Sequence, residues 1–571
     1  MKLLLLFAAV SALAEVPSKD TRWDPIEATR YSFPMPAART KPEWEQRRAH
    51  LRKQVQAAAG LLPMPHRGAV QATVFGKLER DGYTIEKVYL ETLPGYYLGG
   101  NLYRPRGKQG KFPGVLTPHG HWKNGRLEHT DLASIPGRSI NLARQGYVVL
   151  AYDMVGYNDT KQTPHAFGND REHLWNFHPF ALQTWNSLRV ADFLASLPDV
   201  DATRLAMTGA SGGGTQTFVL AAIDERIGVD VPVNMISASM QGGSPCENAP
   251  GLRHDATNVE IGALMAPRPM LLVAATGDWT KNVPLIEFPV IRQIYSLFDA
   301  ASQVEVVQFD SPHNYHQRSR EAMYTFFGKH VLKKDNGPVA EQAFAVEKPE
   351  DMLVWSDRGL PANAANYERV LEEWKKATAV AAPDHEALRF ALSVETPALV
   401  ESYRVGDSIR LSRPGKSDLV RGYYRDGVGA PVLVVHPDGA AAGRQADGAN
   451  GRPVLWIDAW GTGEAKGTRD TKVTHFYTFH RTDAQNRVQD ILTALAWLRS
   501  QHGQTVELRG LGEAGVWALF AAAADGGAVR LQADWSGFDG AEEAFEKRFF
   551  VPGILRVGGL KTALALTEGK R

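Results

Sequence analysis

The chain has 571 residues, of which 44% are hydrophobic and 22% are charged, and 64 basic residues nearly balance 63 acidic residues for a net charge of +1. This length exceeds what one hydrophobic core supports and predicts at least two domains, while the ordinary composition predicts a folded protein. The neutral balance, with no basic stripe, argues against nucleic acid and anionic membrane as partners.

The N-terminus has the features of a secretory signal peptide. Lys2 precedes an apolar run that is too short to span a bilayer, and the small residues of 12–14 (ALA) supply a cleavage site. We therefore expect residues 1–14 to be removed and the mature chain to begin near Glu15, with a buried N-terminal helix as the alternative. The single cysteine, Cys246, excludes an intrachain disulfide. Together these features predict a secreted or periplasmic protein without stable membrane insertion.

From Tyr83 onward, strand-like and helix-like segments alternate. Helical spacing marks residues 180–197 and the stretch from 215 onward. The predicted strands are residues 83–92, 96–105, 112–120, 147–153, 204–208, 228–236, 269–276 and 303–309. This alternation predicts an α/β fold with a mostly parallel sheet and helices on both faces. Functional side chains are then expected at the carboxyl ends of the strands.

A serine stands at the apex of a predicted strand–turn–helix unit. The segment 209–213 (GASGG) follows the apolar strand 204–208 and precedes the helix. This layout is typical of a nucleophile elbow, in which small neighbours permit the strained backbone of the serine. The N-terminus of the following helix points at the place where negative charge develops. We therefore predict that Ser211 is a catalytic nucleophile.

Two later strand ends carry the partners that a serine nucleophile needs. Asp278 follows the strand 269–276, and His313 follows the strand 303–309. The order serine, aspartate, histidine is that of the α/β-hydrolase fold. We predict that His313 accepts the Ser211 proton and that Asp278 holds the imidazole in the required tautomer. Asp310 is the alternative acid, but it lies too near His313 in sequence to orient the ring from behind.

The strand 112–120 ends in a loop that bears two histidines. In this fold that loop supplies one oxyanion-hole N–H and the residue after the nucleophile supplies the other, so we assign the backbone N–H groups of His121 and Gly212. A zinc site at positions 119 and 121 is the competing interpretation. We expect no metal, because these histidines alternate across a strand and no carboxylate–histidine set completes a ligand shell. The candidate pocket residues are His119, Trp122, Glu247, His254, Trp279 and His316, and the candidate pocket walls are residues 157–180 and 238–262.

Several motifs taken together resemble a known family. They are residues 62–65 (LPMP), 79–84 (ERDGYT), 102–105 (LYRP), 208–217 (TGASGGGTQT), 246–253 (CENAPGLR), 266–269 (APRP), 277–282 (GDWTKN) and 310–315 (DSPHNY). As a set they are similar to the acetyl xylan esterase-like bacterial α/β-hydrolases over about residues 40–335. The resemblance implies hydrolysis of carboxylic esters, typically acetyl groups on xylan or related saccharides, without a cofactor. Better characterised xylan and cephalosporin deacetylases carry glutamine where this chain has Gly212, so the resemblance implies the reaction class more firmly than the substrate.

The second half of the sequence repeats the order of the first. Residues 430–439 (APVLVVHPDG) parallel 112–120 (FPGVLTPHG), residues 454–461 parallel 149–156, and residues 507–515 (ELRGLGEAG) parallel 205–213 (LAMTGASGG). An internal duplication explains this order. The position of the nucleophile is taken by Gly512, and no histidine follows it, so we predict that this half is catalytically inert.

A dinucleotide site is the rival interpretation of the second half, because residues 510–515 (GLGEAG) match G-x-G-x-x-G. The duplication already explains the strand–turn–helix context of this motif. We therefore expect a structural role, in which the second half packs against the first or walls its pocket. Binding of a polysaccharide through Trp456, Trp460 or Trp517 is the alternative.

The expected organisation is a signal peptide at 1–14, a catalytic α/β-hydrolase domain at 15–335, a linker at 336–360 and a degenerate, truncated hydrolase-like domain at 361–571. The expected function is that of a secreted serine esterase that deacetylates xylan or related plant saccharides, with a small-molecule or oligosaccharide ester as its substrate. The alternatives are another ester or lactone hydrolase, a peptidase of the same superfamily, and a non-catalytic saccharide-binding protein. No propeller-like repeat precedes the domain, which argues against a peptidase of the prolyl-oligopeptidase kind.

Overall fold

The computed structural model describes residues 16–570 apart from 25–27, 31–34, 36–37, 336, 417, 448 and 504. The predicted signal peptide, residues 1–14, lies outside the described residues. Two sheets organise the chain. The first contains β1 (Gln71–Arg80), β2 (Tyr83–Leu93), β3 (Tyr96–Pro105), β4 (Phe112–Pro118), β5 (Val148–Tyr152), β6 (Val200–Ala210), β7 (Ile227–Val233), β8 (Met270–Ala275) and β9 (Val304–Phe309). The second contains β10 (Glu401–Val405), β11 (Ser408–Ser412), β12 (Val420–Arg425), β13 (Val432–Val435), β14 (Val454–Asp458), β15 (Val506–Gly510) and β16 (Val529–Ala533).

Helices cover the faces of both sheets. In the first half they are α1 (Lys41–Ala58), α2 (Ile135–Gln145), α3 (Asp170–His173), α4 (Pro179–Ser196), α5 (Gly212–Ile223), α6 (Asn258–Ala263), α7 (Glu287–Ser296) and α8 (Gln317–His330). After them come α9 (Pro349–Met352), α10 (Tyr367–Thr378), α11 (His385–Leu392), α12 (Ala440–Ala446), α13 (Phe476–Phe479), α14 (Asp483–His502), α15 (Ala514–Ala524), α16 (Glu542–Arg548) and α17 (Gly559–Leu566).

The first sheet has the strand order β1-β2-β3-β5-β4-β6-β7-β8-β9. The strands from β1 to β5 in this order pair antiparallel, and those from β5 to β9 pair parallel. All eight strands predicted between residues 83 and 309 are present as β2–β9, and the predicted α/β class is confirmed. The edge strand β1 was not predicted, because it is exposed or half-buried along its whole length and has a bulge between Phe75 and Leu78, so it shows no regular alternation.

The helix behind the predicted elbow is buried on every side. All residues of α5 are buried, and α4 packs beside it with most of its residues buried as well. A helix that is apolar all round belongs in the interior of a large domain. This packing fixes the position of the turn between β6 and α5, where Ser211 lies.

The second sheet repeats the arrangement of the first. Its order, β10-β11-β12-β14-β13-β15-β16, corresponds strand by strand to β1–β7, with the same change from antiparallel to parallel pairing. The wholly buried α15 follows β15 as α5 follows β6. At the equivalent turn Gly512 has φ +53°, close to the +58° of Ser211. Among the described residues the second sheet has no counterpart of β8 and β9, which in the first sheet precede Asp278 and His313.

The two halves are joined by an ordered segment and by direct contacts. Residues 337–366, which include most of the expected linker, pack along the first sheet, where Glu341 pairs with Arg320 at 2.5 Å and the ring of Trp355 lies against Tyr89. The backbone N–H of Gly251 donates to Tyr477 O at 2.8 Å, and that of Arg253 donates to Thr478 O at 3.0 Å. The second half therefore holds the loop of residues 238–262 through backbone hydrogen bonds.

The N-terminal residues before α1 pack against the second half. The rings of Trp23 and Trp460 stack at 3.6 Å between centroids with 9° between their planes. Arg22 lies over the Trp460 ring and pairs with the buried carboxylate of Asp490 at 2.7 Å. Stacked aromatic rings of this kind stabilise a contact by about 0.5–1.5 kcal/mol beyond the burial of their area.

Candidate active site

Ser211 lies at a strained turn between β6 and α5. Its φ of +58° and ψ of −127° fall in a region that non-glycine residues rarely occupy. Neighbouring glycines make the turn possible, because a Cβ on Gly209 would lie 2.6 Å from the backbone of Gly213. Gly212 is the first residue of α5, where the amide N–H groups of the first turn have no intrahelical acceptor. The sequence folds here as the elbow pattern predicts.

His313 and Asp278 form a hydrogen-bonded pair after β9 and β8. His313 Nδ1 lies 2.8 Å from Asp278 Oδ2, so the ring N–H donates to the carboxylate. The other oxygen, Oδ1, accepts from the Thr280 backbone N–H at 2.7 Å and from the Thr280 hydroxyl at 2.5 Å. The side chain of Asp278 is 2% exposed and that of His313 is 25% exposed. Asp310, the alternative acid, instead accepts a hydrogen bond from Thr276 on the exposed surface.

Two tryptophans enclose the His313 ring. Trp279 lies 4.5 Å from it and Trp122 lies 5.9 Å from it, measured between ring centroids. The His313 Nε2 atom is inaccessible to solvent and has no hydrogen-bond partner among the described residues. No hydrogen bond joins it to Ser211, and such bonds are often long before substrate binds. These two tryptophans restrict rotation of the His313 ring, so its Nε2 atom keeps one orientation.

The loop after β4 passes directly over the elbow. A Cβ on Gly120 would lie 3.1 Å from the Cβ of Ser211 and 3.0 Å from Trp122 Nε1. His119 lies beneath this loop, where its Nδ1 is 2.6 Å from Gly120 O and its Nε2 accepts from the Met154 N–H at 2.9 Å. Burial lowers the pKa of His119 to about 3. His119 therefore holds the loop in place from within and has no ring nitrogen free to contact a substrate.

Side chains from three separate segments meet beside Gly212. The His121 ring lies so close that a Cβ on Gly212 would be 2.6 Å from His121 Cε1. The Cys246 thiol lies 3.1 Å from His121 Nε2, Glu247 Oε1 lies 3.9 Å from His121 Nδ1, and the ring of His165 lies 5.1 Å from that of His121. Burial lowers the pKa of His121 to about 4 and raises the pKa values of Cys246 and Glu247.

This cluster changes the expectation about metal ligands. From the sequence we expect no ligand set around His121, yet one ligand atom each from His121, His165 and Cys246 lies within 4.8 Å of the others. The three residues are far apart in sequence and therefore match no spacing pattern. The predicted pocket residues Trp122, Glu247 and Trp279 lie in the same region as His121.

Two of the predicted pocket residues lie elsewhere. His316 caps α8 by accepting the Ser319 N–H at 3.2 Å and packs against Phe309. His254 bonds to Ser393 at 2.8 Å and lines a separate cavity of about 790 Å³ between α1, α11 and the second half. None of Ser211, Asp278 and His313 lines this cavity. These contacts do not support a role for either residue in the substrate pocket, and that role stays a prediction.

The contacts of Thr280 with Asp278 and of His165 with His121 were not predicted from the sequence. Thr280 lies two residues after Asp278, where its hydroxyl can bond the acid, and its Oγ1 also accepts from the Ala275 N–H at 3.0 Å. The Asp-x-Thr spacing is the signal that could have indicated this role. His165 lies within the wall segment 157–180, but nothing in the sequence shows that it faces His121.

Comparison with known proteins places the chain among carboxylic ester hydrolases. Residues 77–234 match the acetyl xylan esterase (AXE1) family. The protein YtaP of Bacillus subtilis (strain 168) is 27% identical over 288 residues, which are 47% of this chain and 94% of YtaP. The acetyl esterase Axe7A of Xylanibacter ruminicola is 26% identical over 190 residues, which are 30% of this chain and 40% of Axe7A. The structure of methylesterase BT1017 superposes with a TM-score of 0.52 at 32% identity, over 60% of this chain and 76% of BT1017.

The fold and these similarities define a carboxylic ester hydrolase of the α/β-hydrolase class. The large mixed sheet with helices on both faces and the strained serine turn are the features that carry this class. The chain belongs to the acetyl xylan esterase-like α/β-hydrolase family. Within the part of the chain that the structure describes, no helix is both long and apolar enough to cross a membrane.

Proposed function

We propose that the protein hydrolyses carboxylic esters of plant saccharides through an acyl-enzyme at Ser211. In the first step Ser211 Oγ bonds to the ester carbonyl carbon while its proton passes to His313 Nε2. The carbon–oxygen bond to the leaving alcohol then breaks, and His313 returns the proton to that alcohol. In the second step water, deprotonated by His313, attacks the acyl group and releases the acid and Ser211.

The bond between His313 and Asp278 is the observation that carries this proposal. At 2.8 Å it fixes the tautomer in which Nε2 is free to accept a proton. Asp278 stabilises the imidazolium that forms during each step. The backbone N–H groups of Gly212 and His121 are the proposed oxyanion donors, and loss of one such donor costs about 10²–10³-fold in rate.

The space beside the nucleophile supports a small acyl group. The His121 ring and the Met154 methyl group both press on Gly212, at 2.6 Å and 2.8 Å from the position of an added Cβ. We propose that these two groups line the acyl side of the elbow and so favour acetyl over a bulky acyl group. The leaving alcohol is then the sugar, in keeping with the description of the matching family.

Release of acetate tests the proposal. The substrates are acetylated xylo-oligosaccharides and a small activated acetate ester, and the enzymes are the parent chain, Ser211→Ala and the matched control Ser296→Ala, which changes an exposed serine on α7. We expect the parent and Ser296→Ala to release acetate from both substrates and Ser211→Ala to be inactive. Activity of Ser211→Ala at the parent level would contradict the acyl-enzyme mechanism and favour a binding role.

A methyl ester is the second candidate substrate, favoured by the 32% identity to a protein named as a methylesterase. In that reaction the carboxyl group belongs to the saccharide and methanol is the leaving group, so the saccharide occupies the opposite side of the carbonyl carbon. Methanol release from oligosaccharides that carry methyl-esterified carboxyl groups, measured beside acetate release, separates the two. Methanol without acetate would assign the methyl ester.

We further propose that residues 1–14 direct export and are removed, and that residues 15–335 and 361–571 are the catalytic and the inert domain on either side of a linker at 336–360. The charged start, apolar run and small residues at 12–14 support the first point, and the repeated strand order supports the second. Expression in a bacterium with an intact export pathway should yield a chain that begins near Glu15. Intact-mass measurement of the periplasmic fraction checks this, and a cytoplasmic chain that begins at Met1 would contradict it.

A further inference from the structure

We propose that His121, His165 and Cys246 form a binding site for one zinc ion beside the elbow. The three ligand atoms lie within 4.8 Å of one another. Two imidazole nitrogens and one thiolate sulfur are ligands that Zn²⁺ prefers, and three protein ligands with one open position are typical of zinc sites that are not purely structural. This site is distinct from the serine, aspartate and histidine of the proposed ester hydrolysis.

The ring of His165 is oriented as a metal ligand is. Its Nδ1–H donates to Val155 O at 2.7 Å, which leaves the lone pair on Nε2. That Nε2 atom is inaccessible to solvent and has no hydrogen-bond partner in the described part of the chain. Ligating histidines commonly donate their other ring N–H to a backbone carbonyl, and this bond fixes both tautomer and ring orientation. A cation would satisfy a buried acceptor that nothing else satisfies.

His121 and Cys246 supply the other two ligands, and the carboxylate of Glu247 lies near the His121 ring. Glu247 Oε1 lies 3.9 Å from His121 Nδ1, beyond direct hydrogen-bonding distance but near enough for its charge to act on the ring. The Cys246 thiol now donates to His121 Nε2 at 3.1 Å. When Zn²⁺ binds, the S–H bond breaks, a sulfur–zinc bond forms and the proton leaves to solvent. The thiolate and Glu247 together offset the charge of the cation.

Spectroscopy with cobalt tests the site without relying on ester hydrolysis. Co²⁺ takes the same ligands as Zn²⁺, and a cobalt–thiolate bond absorbs in the near ultraviolet by charge transfer. Cys246 is the only cysteine in the chain, so any such band reports on this residue. We expect the purified chain to bind one equivalent of Co²⁺ with this band and to lose the band when Zn²⁺ is added. Ser211→Ala should bind equally well, because Ser211 is not a ligand.

Two ligand variants and one matched control complete the test. Cys246→Ser should abolish the band, and His165→Gln should weaken Co²⁺ and Zn²⁺ binding by at least about tenfold, since even outer-shell changes cost about 10–100-fold in affinity. His66→Gln, which changes an exposed histidine far from the cluster in sequence, should bind as the parent does. Circular dichroism establishes that each variant is folded, and His165→Gln carries the test if Cys246→Ser does not fold.

The proposal is overturned if the parent chain shows no charge-transfer band at saturating Co²⁺ and no heat of Zn²⁺ binding by calorimetry. It is equally overturned if His165→Gln binds both ions with the affinity of the parent. Because both readouts measure metal directly, failure of the zinc site and failure of the proposed esterase activity are distinguishable.

Discussion

Thr280 is expected to position the proposed acid, and its substitution offers a quantitative test of the site. Thr280→Val keeps the size and shape of the side chain and the backbone N–H that bonds Asp278 Oδ1 at 2.7 Å. It removes the hydroxyl that donates to the same oxygen at 2.5 Å and that accepts from the Ala275 N–H at 3.0 Å. The carboxylate is 2% exposed, so water cannot readily replace the lost donor.

The size of the expected loss of activity follows from the negative charge on the acceptor, the carboxylate of Asp278. A hydrogen bond to a charged group contributes about 1.5–3 kcal/mol. If that loss appears in the barrier because Asp278 no longer holds His313 correctly, kcat falls about 10–100-fold, since each 1.36 kcal/mol corresponds to tenfold. The substrate does not contact Thr280 in the proposed mechanism, so KM should change little.

The assay is initial-rate hydrolysis of a small acetate ester by the parent, Thr280→Val and Thr280→Ser, with thermal melting to establish that each is folded at the assay temperature. Thr280→Ser retains the hydroxyl and should restore most of kcat. The reasoning is refuted if Thr280→Val keeps kcat within twofold of the parent, or if Thr280→Ser loses as much activity as Thr280→Val.

Three further predictions concern packing and titration. Burial raises the pKa of Asp230 from 3.8 to about 8, so the folded chain holds a proton there that the unfolded chain releases. Stability should therefore fall by up to about 1.4 kcal/mol per pH unit between pH 4 and 8, and Asp230→Asn should remove that slope in denaturant titrations. Gly212→Ala should lower kcat at least about tenfold, because oxyanion-hole changes of 10²–10³-fold are common, and the loss should be smaller in a His121→Ala background. Trp23→Ala should lower the melting temperature without changing kcat, because its stacking partner Trp460 lies in the second half.

Each of these has a result that contradicts it. Equal pH slopes for the parent and Asp230→Asn would mean that the carboxyl is ionised in the folded state. If Gly212→Ala lowers kcat by the same factor in the His121→Ala background, the added methyl group does not act by clashing with the His121 ring. A loss of kcat in folded Trp23→Ala would show that the N-terminal contact reaches the active site.

Much of the first sheet could be predicted because its strands are apolar, regularly spaced and separated by helical segments. The order of Ser211, Asp278 and His313 on the ends of β6, β8 and β9 pointed to one chemistry, and the structure brings His313 and Asp278 together while their roles stay a prediction. β1 escaped prediction because an exposed edge strand has no buried face to impose alternation. The contacts of His165 and Thr280 depend on side chains that turn toward neighbours, and sequence spacing does not encode them.

The second half of the protein, which we predict to be inert because Gly512 stands at its elbow, accepts hydrogen bonds through α13 from the loop that bears Cys246 and Glu247. Two amides of that loop, those of Gly251 and Arg253, find their acceptors only across the boundary between the halves. A chain cut after the first sheet would leave both amides unpaired. The second half therefore supports that loop from outside the first sheet, and we expect the two halves to melt as a single cooperative unit.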